Sequence, residues 1–394
     1  MNLKDLMKDY FLDLDAAGKD PHQKIAWCTS AGPAEILRAF GFKVYFPENH
    51  GAMLGATRTC MDTIPTANAY GYSPDICSYL TCDIGAHLKG FTPLTRAYGI
   101  QAPPKPDVLV YNTNQCKEVM HWFEFYAREF KAPVFGIHSP NLLPEIADSH
   151  IDTVYRQFKA LIAMLEGICN KKLDLDNLKK TVKLSWEASG LWSEVLSHLK
   201  HKPSPLNFFD TTVLMGPIVM LRGTEQAKEF YSFLNLAVQE MIASETSSIP
   251  NEKKRIYWDG MPVWGRLKFM AELFKKNHTC IVASTYCNSW IYKDHDAADP
   301  LLSMAKNYLD IFINRNDAFK EKYIFDTVKD FAADGVIFHD SKTCPHNTNS
   351  QFNMPNRLRE KGLPSLVING DLCDLRCFSD EQSTTAIEAF LETL

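Results

Sequence analysis

Short, continuously apolar runs alternate with helical stretches at both ends of the chain, and a longer helical tract separates them. Between residues 1 and 150 the runs KIAWCTS, KVYFPE, DVLVYN and PVFGIH read as buried parallel strands, because each is brief, apolar throughout and bounded by Gly, Pro or polar residues. HWFEFYAREF reads as an amphipathic helix between the last two. From 151 to 250 the apolar positions of VYRQFKALIAMLEGI, LDNLKKTVKLSWEASGLWSEVL and TEQAKEFYSFLNLAVQEMI recur at helical spacing, which predicts a helical connector. From 251 to 394 the runs RIYWDG, CIVAST, GVIFHD and SLVING restore the strand–helix alternation. The fold class expected is α/β: two doubly wound parallel-sheet domains, Rossmann-like or flavodoxin-like, joined by a helical region and holding a site between them. A length of 394 residues suits such a division.

Composition narrows the function classes. Hydrophobic residues make up 45% and charged residues 23%, and the net charge of -5 leaves no basic surface for nucleic acid. The opening MNLKDLMKDYFLDLD carries acids through its apolar stretch and so does not read as a secretory signal, and no window approaches a membrane span. A cytoplasmic protein with neither a membrane nor a nucleic-acid partner is expected. Eleven cysteines, an odd number, are unlike a disulfide framework in a reducing compartment and point to metal or redox chemistry. For any single one of them, burial of a small apolar side chain is the alternative.

The cysteines are not scattered evenly. Cys28, Cys116, Cys287, Cys344 and Cys373 each follow a predicted strand, where ligands bind in open α/β sheets. Cys169 and Cys280 fall inside predicted elements and read as structural. Cys77, preceded by Pro and Asp in SPDICSYLTCDIG, sits at a helix start whose free N–H groups favour a thiolate, with Cys82 close by and Cys60 left open. Structural zinc sites favour C-x2-C pairs, and ferredoxins favour C-x2-C-x2-C runs; the chain has neither. Dispersed thiols of this kind suit a site between domains.

In order along the chain, ICSYLTCDIG, NTNQCKEVMHWFEFYAREFKAPVFGIHSP, HKPSPLNFFDTTVLMGPIVMLRGTEQAKEFY, GVIFHDSKTCPHNTNS and GLPSLVINGDLCDLRCFS resemble the subunits of 2-hydroxyacyl-CoA dehydratases and of ATP-dependent benzoyl-CoA reductases, in particular the larger cluster-bearing subunit of the latter. The resemblance covers most of the chain. It implies a [4Fe-4S] iron-sulfur cluster held between two α/β domains by three cysteines, which carry over to Cys77, Cys116 and Cys344. It also implies electrons supplied by a separate ATP-hydrolysing iron-sulfur activator protein, and the chain has no phosphate loop of its own. Cys28, Cys82, Cys287, Cys373 and Cys377 are surplus to that pattern and resemble the double-cubane cluster branch, which binds two bridged cubanes and reduces small molecules. On that likeness Cys28, Cys82 and Cys373 are the second ligand set.

The leading expectation is therefore an iron-sulfur oxidoreductase, a homodimer reducing a small-molecule substrate at a double-cubane cluster. The first alternative is a subunit of a benzoyl-CoA reductase or of a 2-hydroxyacyl-CoA dehydratase, which is a lyase, with one cubane and an unlike partner. The second is a non-catalytic metal or redox sensor. Near Cys344 the run HDSKTCPHN offers His339, Lys342 and His346 for proton delivery and Asn347 for hydrogen bonds to the cluster. Glu118 and Glu124 read as solvent-facing or salt-bridged, Arg222 as a capping residue and Trp258 as core.

Overall fold

The computed structural model describes residues 2–347 and 353–394, so the end of the run around Cys344, from 348 to 350, lies outside the described residues. All eight apolar runs form strands. β1 (Ile25–Cys28), β2 (Lys43–Tyr45), β3 (Val108–Asn112) and β4 (Val134–Ile137) make one sheet in the order β2-β1-β3-β4. β5 (Lys254–Asp259), β6 (Thr279–Ser284), β7 (Gly335–Ser341) and β8 (Ser365–Gly370) make a second in the order β6-β5-β7-β8. Every pairing is parallel, so the two ends of the chain repeat one plan. Every residue of β1 and β3 is buried, which is why these strands are apolar throughout instead of alternating.

Parallel neighbours cannot be joined by hairpins, and helices supply the crossovers. The helix Glu118–Phe130 between β3 and β4 buries Val119, Trp122, Phe123, Phe125 and Tyr126 on one face, as its apolar spacing requires. In the middle of the chain lie the helices Asp148–Cys169, Leu175–Ser197 and Glu225–Ala243. Asp174 caps the second by accepting from the N–H groups of Asp176 and Asn177 at 3.0 Å each. Thr224 caps the third through the N–H of Ala227 at 3.3 Å. Among the described residues no helix is long and apolar enough to cross a membrane.

Arg222 is not the capping residue that its turn position suggested. It is fully buried, and its guanidinium donates to Glu35 Oε1 (3.1 Å) and to the carbonyls of Ser30 (3.0 Å) and Gly32 (2.6 Å). Glu35 also accepts from the hydroxyls of Ser185 and Tyr308, each at 2.6 Å. This charge pair ties the helical tract to the turn after β1, and its satisfied donors offset the cost of burying it. Trp258 is core as expected, its Nε1 donating to the carbonyl of Met261 at 3.3 Å.

Helices and loops of the two halves of the chain are joined directly as well. Trp264 Nε1 donates to the Tyr79 hydroxyl, and Arg58 Nε donates to the Gly265 carbonyl at 3.0 Å. Buried Asp371, just beyond β8, accepts from the Ser78 hydroxyl at 2.5 Å and from the N–H and hydroxyl of Thr343 at 2.9 and 2.6 Å.

Candidate active site

Parallel strands end on a common edge, and here the edges of both sheets open onto one cavity of about 370 Å³. Ser30, Glu48 and Gln115 reach it from the segments leaving β1, β2 and β3; Met261, Tyr286, Cys344 and Leu372 reach it from those leaving β5, β6, β7 and β8. This is the crevice where open α/β folds bind ligands.

Cys77, Cys116 and Cys344 all line this cavity and are half-buried. Cys77 is the N-cap residue of the helix Ser78–Leu88, and the N–H groups of Tyr79 and Leu80 in its first turn act to lower the pKa of its thiol. The helix start anticipated from Pro74 and Asp75 is thus real, but it does not make an acidic thiol. Burial, followed by the nearby Cys344 sulfur, pushes Cys77 well above the usual thiol range. Cys116 is raised in the same way, by burial first and Cys77 next, and burial pushes Cys344 up to about 12. The three thiols therefore share one electrostatic environment, and the protein alone holds them neutral. Among the described residues, no three His, Cys, Asp or Glu side chains are grouped closely enough to hold a single metal ion.

The other cysteines divide differently from the expected set. Cys60, Cys82 and Cys373 are fully buried together: the Cys60 thiol donates to the Cys373 carbonyl at 3.1 Å, and the Cys82 and Cys373 thiols both face the Gly51 carbonyl, at 3.8 and 3.4 Å. Cys373 makes sulfur contacts with both Cys60 and Cys82, and burial pushes its thiol well above the ordinary value. A Cβ on Gly55 would lie 2.6 Å from the Cys373 sulfur, so the helix backbone packs directly against this group. Cys28 is elsewhere, beneath the turn after β1, where Arg222, Glu35, Glu48 and Arg38 are the charges that act on it. Cys287 faces the hydroxyl of Thr211 at 3.5 Å, and Cys280 the carbonyl of Leu206 at 3.7 Å.

The structure does not bring His339, Lys342 and His346 onto the cavity wall. His339 is buried behind it, with Nδ1 against the Met261 carbonyl at 2.6 Å; burial lowers its pKa, and among the described residues its Nε2 meets no hydrogen-bond partner. Lys342 is exposed and pairs with Asp75 at 2.9 Å. His346 Nε2 lies 3.6 Å from Glu118 Oε2, and Glu118, read from sequence as solvent-facing or salt-bridged, both makes this pair and lines the cavity.

Two carboxylates at strand ends escaped the sequence reading. Glu48, on the helix Pro47–Ala56 that follows β2, is buried on the cavity wall, accepting from the Ser30 N–H and the Gln115 amide. Burial raises its pKa, and those two hydrogen bonds offset the rise only in part. Asp371 also accepts from the N–H groups of Cys373 (3.0 Å) and Asp374 (2.9 Å), so one carboxylate arranges the segments that carry Cys77, Cys344 and Cys373. The strand-end rule applied to the cysteines would have nominated both residues had it been extended to acids.

Comparison with known proteins agrees with this architecture. The family model of the 2-hydroxyglutaryl-CoA dehydratase D-component matches residues 29–394. The chain is similar to the alpha subunit of (R)-2-hydroxyisocaproyl-CoA dehydratase from Clostridioides difficile, at 29% identity over 398 residues covering 100% of this chain and 95% of that one. It is similar to the alpha subunit of lactoyl-CoA dehydratase from Anaerotignum propionicum, at 29% identity with 94% and 90% covered. A subunit of benzoyl-CoA reductase from Thauera aromatica is 27% identical, with 91% and 85% covered.

Proposed function

Because this chain belongs to the family of the 2-hydroxyglutaryl-CoA dehydratase D-component, we propose that it is the iron-sulfur subunit of an enzyme that dehydrates a 2-hydroxyacyl-CoA. The observation that carries the reading is the convergence of Cys77, Cys116 and Cys344 on one interdomain cavity that also holds the buried carboxyl of Glu48. The donor set fits a cubane. Its irons take one thiolate each, so the ligands surround a volume and do not crowd a single ion. Iron would also supply the positive charge that turns the three thiols, all raised first by burial, into thiolates. When bound, the cluster would exchange single low-potential electrons, delivered by an ATP-hydrolysing iron-sulfur activator.

The chain's own residues do the rest. Mostly apolar side chains from both halves of the chain line the cavity, surroundings that would strengthen electrostatic interactions at the reacting carbons. Elimination of water takes a proton from one carbon and a hydroxyl from its neighbour, with no net change in electrons. Of the two carboxyls on the wall, Glu48 is the fully buried one, held in place by the N–H of Ser30 and the Gln115 amide, and it is the one assigned to take up that proton and return it.

We propose one cubane in place of the double cubane first expected. Cys60, Cys82 and Cys373 pack sulfur against sulfur beneath the helix Pro47–Ala56, and Cys28 lies apart from them, beside Arg222. We also propose an unlike partner subunit in place of the homodimer: dehydratase relatives matched over nearly the whole chain are named alpha subunits, and a beta subunit, that of (R)-phenyllactyl-CoA dehydratase from Clostridium sporogenes, is 24% identical over 60% of this chain.

The test is to purify the chain without oxygen and count iron and acid-labile sulfide. About four irons per chain is the expected result, about eight would restore the double cubane, and none after reconstitution would sink the reading. Dehydration should then proceed with reductant far below the amount of product formed, whereas consumption of electrons in step with product would make the enzyme a reductase.

A further inference from the structure

We infer that the acyl group taken by this cavity carries no charge, being a branched aliphatic or aromatic chain, and that a dicarboxylic acyl group such as hydroxyglutaryl is excluded. The inference rests on the thioester reading above and adds the substrate class.

The wall is built from large apolar side chains. Met215, Val219 and Met220 come from the short helix Gly216–Met220 and the residue before it, and Trp264, Trp290 and Ile313 from the half of the chain beyond the helical tract. Among the described residues that line the cavity there is no Lys, Arg or His. The remaining residues of the chain, Met1 and 348–352, contain none either. Two carboxyl groups, those of Glu48 and Glu118, already face the cavity. A second carboxylate on the substrate would enter an apolar chamber beside two acids with no counter-charge.

The cations around the cavity already have partners in the protein: Arg38 donates to the carbonyl of the wall residue Met220 at 2.6 Å. Arg222 spends its guanidinium on Glu35 and on the carbonyls of Ser30 and Gly32. Arg58 donates to the Gly265 carbonyl, Lys342 pairs with Asp75, and His346 faces Glu118. Neutral donors such as Asn347 can hydrogen-bond a carboxylate but do not offset a full charge taken out of water. The chamber therefore discriminates by the free energy of desolvation and not by size.

The deciding measurement is anaerobic calorimetric titration of the cluster-loaded full chain with (R)-2-hydroxyisocaproyl-CoA, (R)-2-hydroxyglutaryl-CoA and CoA alone. The isocaproyl thioester should bind more tightly than the glutaryl one by on the order of a hundredfold, and the glutaryl thioester no better than CoA. Equal or tighter binding of the glutaryl thioester overturns the inference and leaves the proposed function standing. If neither thioester binds better than CoA, the acyl group does not enter this cavity, and the thioester reading falls together with the inference. Met220→Arg, or Val219→Lys should the first variant fold poorly, is expected to narrow the ratio by about tenfold by supplying the missing charge; an unchanged ratio in a folded variant counts against the inference.

Discussion

Glu48 shows how position changes the chemistry of a common side chain. Its burial on the cavity wall raises its pKa above the ordinary carboxylate value, while the Ser30 N–H and the Gln115 amide hold it in one orientation. As the proton acceptor it must be ionised, so activity should fall as pH drops through the raised pKa, placing the acid limb of the kcat/KM profile above that of an exposed glutamate. Glu48→Gln should lower kcat by about 10²- to 10⁴-fold and abolish that limb, measured with iron content unchanged. The thiols separate by the same kind of test. Cys77→Ser, Cys116→Ser and Cys344→Ser should each lower iron per chain, whereas Cys169→Ser and Cys280→Ser should leave it as it is, because neither of the latter lines the cavity.

At the scale of elements, two contacts hold the cysteine-bearing segments in place. Asp371 accepts hydrogen bonds from Ser78, Thr343, Cys373 and Asp374, fastening the start of the helix Ser78–Leu88 to the loop after β7 and the loop after β8. In Asp371→Asn an amide would meet donors that now find a carboxylate oxygen. Loss of about 1–3 kcal/mol of stability is expected from thermal or denaturant unfolding, together with faster loss of iron on dilution. The second contact lies between the helices Cys60–Tyr70 and Ser78–Leu88, where a Cβ on Gly85 would stand 1.9 Å from the Thr63 carbonyl oxygen. Gly85→Ala gains about 1 kcal/mol of helix propensity but forces two backbones apart at about 1–3 kcal/mol or more. The clash wins, and a lower denaturation midpoint is the expected outcome.

For the molecule as a whole, the Arg222–Glu35 pair joins the helical tract to the sheet that carries Cys28 and Cys116. Arg222→Met leaves a buried carboxylate without its counter-charge and should cost about 3–5 kcal/mol, whereas adding Glu35→Gln in the same chain should recover a large part of that. A double-mutant cycle by chemical denaturation measures both.

The eight strands, their parallel class and the helical tract between them were legible in the sequence, because apolar periodicity is a local property of the backbone and each run is contiguous. The placement of Cys116 and Cys344 just past strand ends was legible for the same reason, and the start of the helix after Cys77 was marked by its turn residues. Which side chains meet was not. Cys60 and Cys373 touch across 313 residues, Arg222 reaches Glu35 across 187, and Ser78 reaches Asp371 across 293. These encounters depend on how the two halves of the chain, with the same strand order, come together through their loops and helices, and no local pattern encodes that geometry. The sequence by itself determined the elements, the inventory of thiols and, through the family resemblance, the expectation that Cys77, Cys116 and Cys344 act together; only the tertiary structure placed these three on one cavity with the carboxyls of Glu48 and Glu118, because burial and proximity arise when the two halves of the chain close.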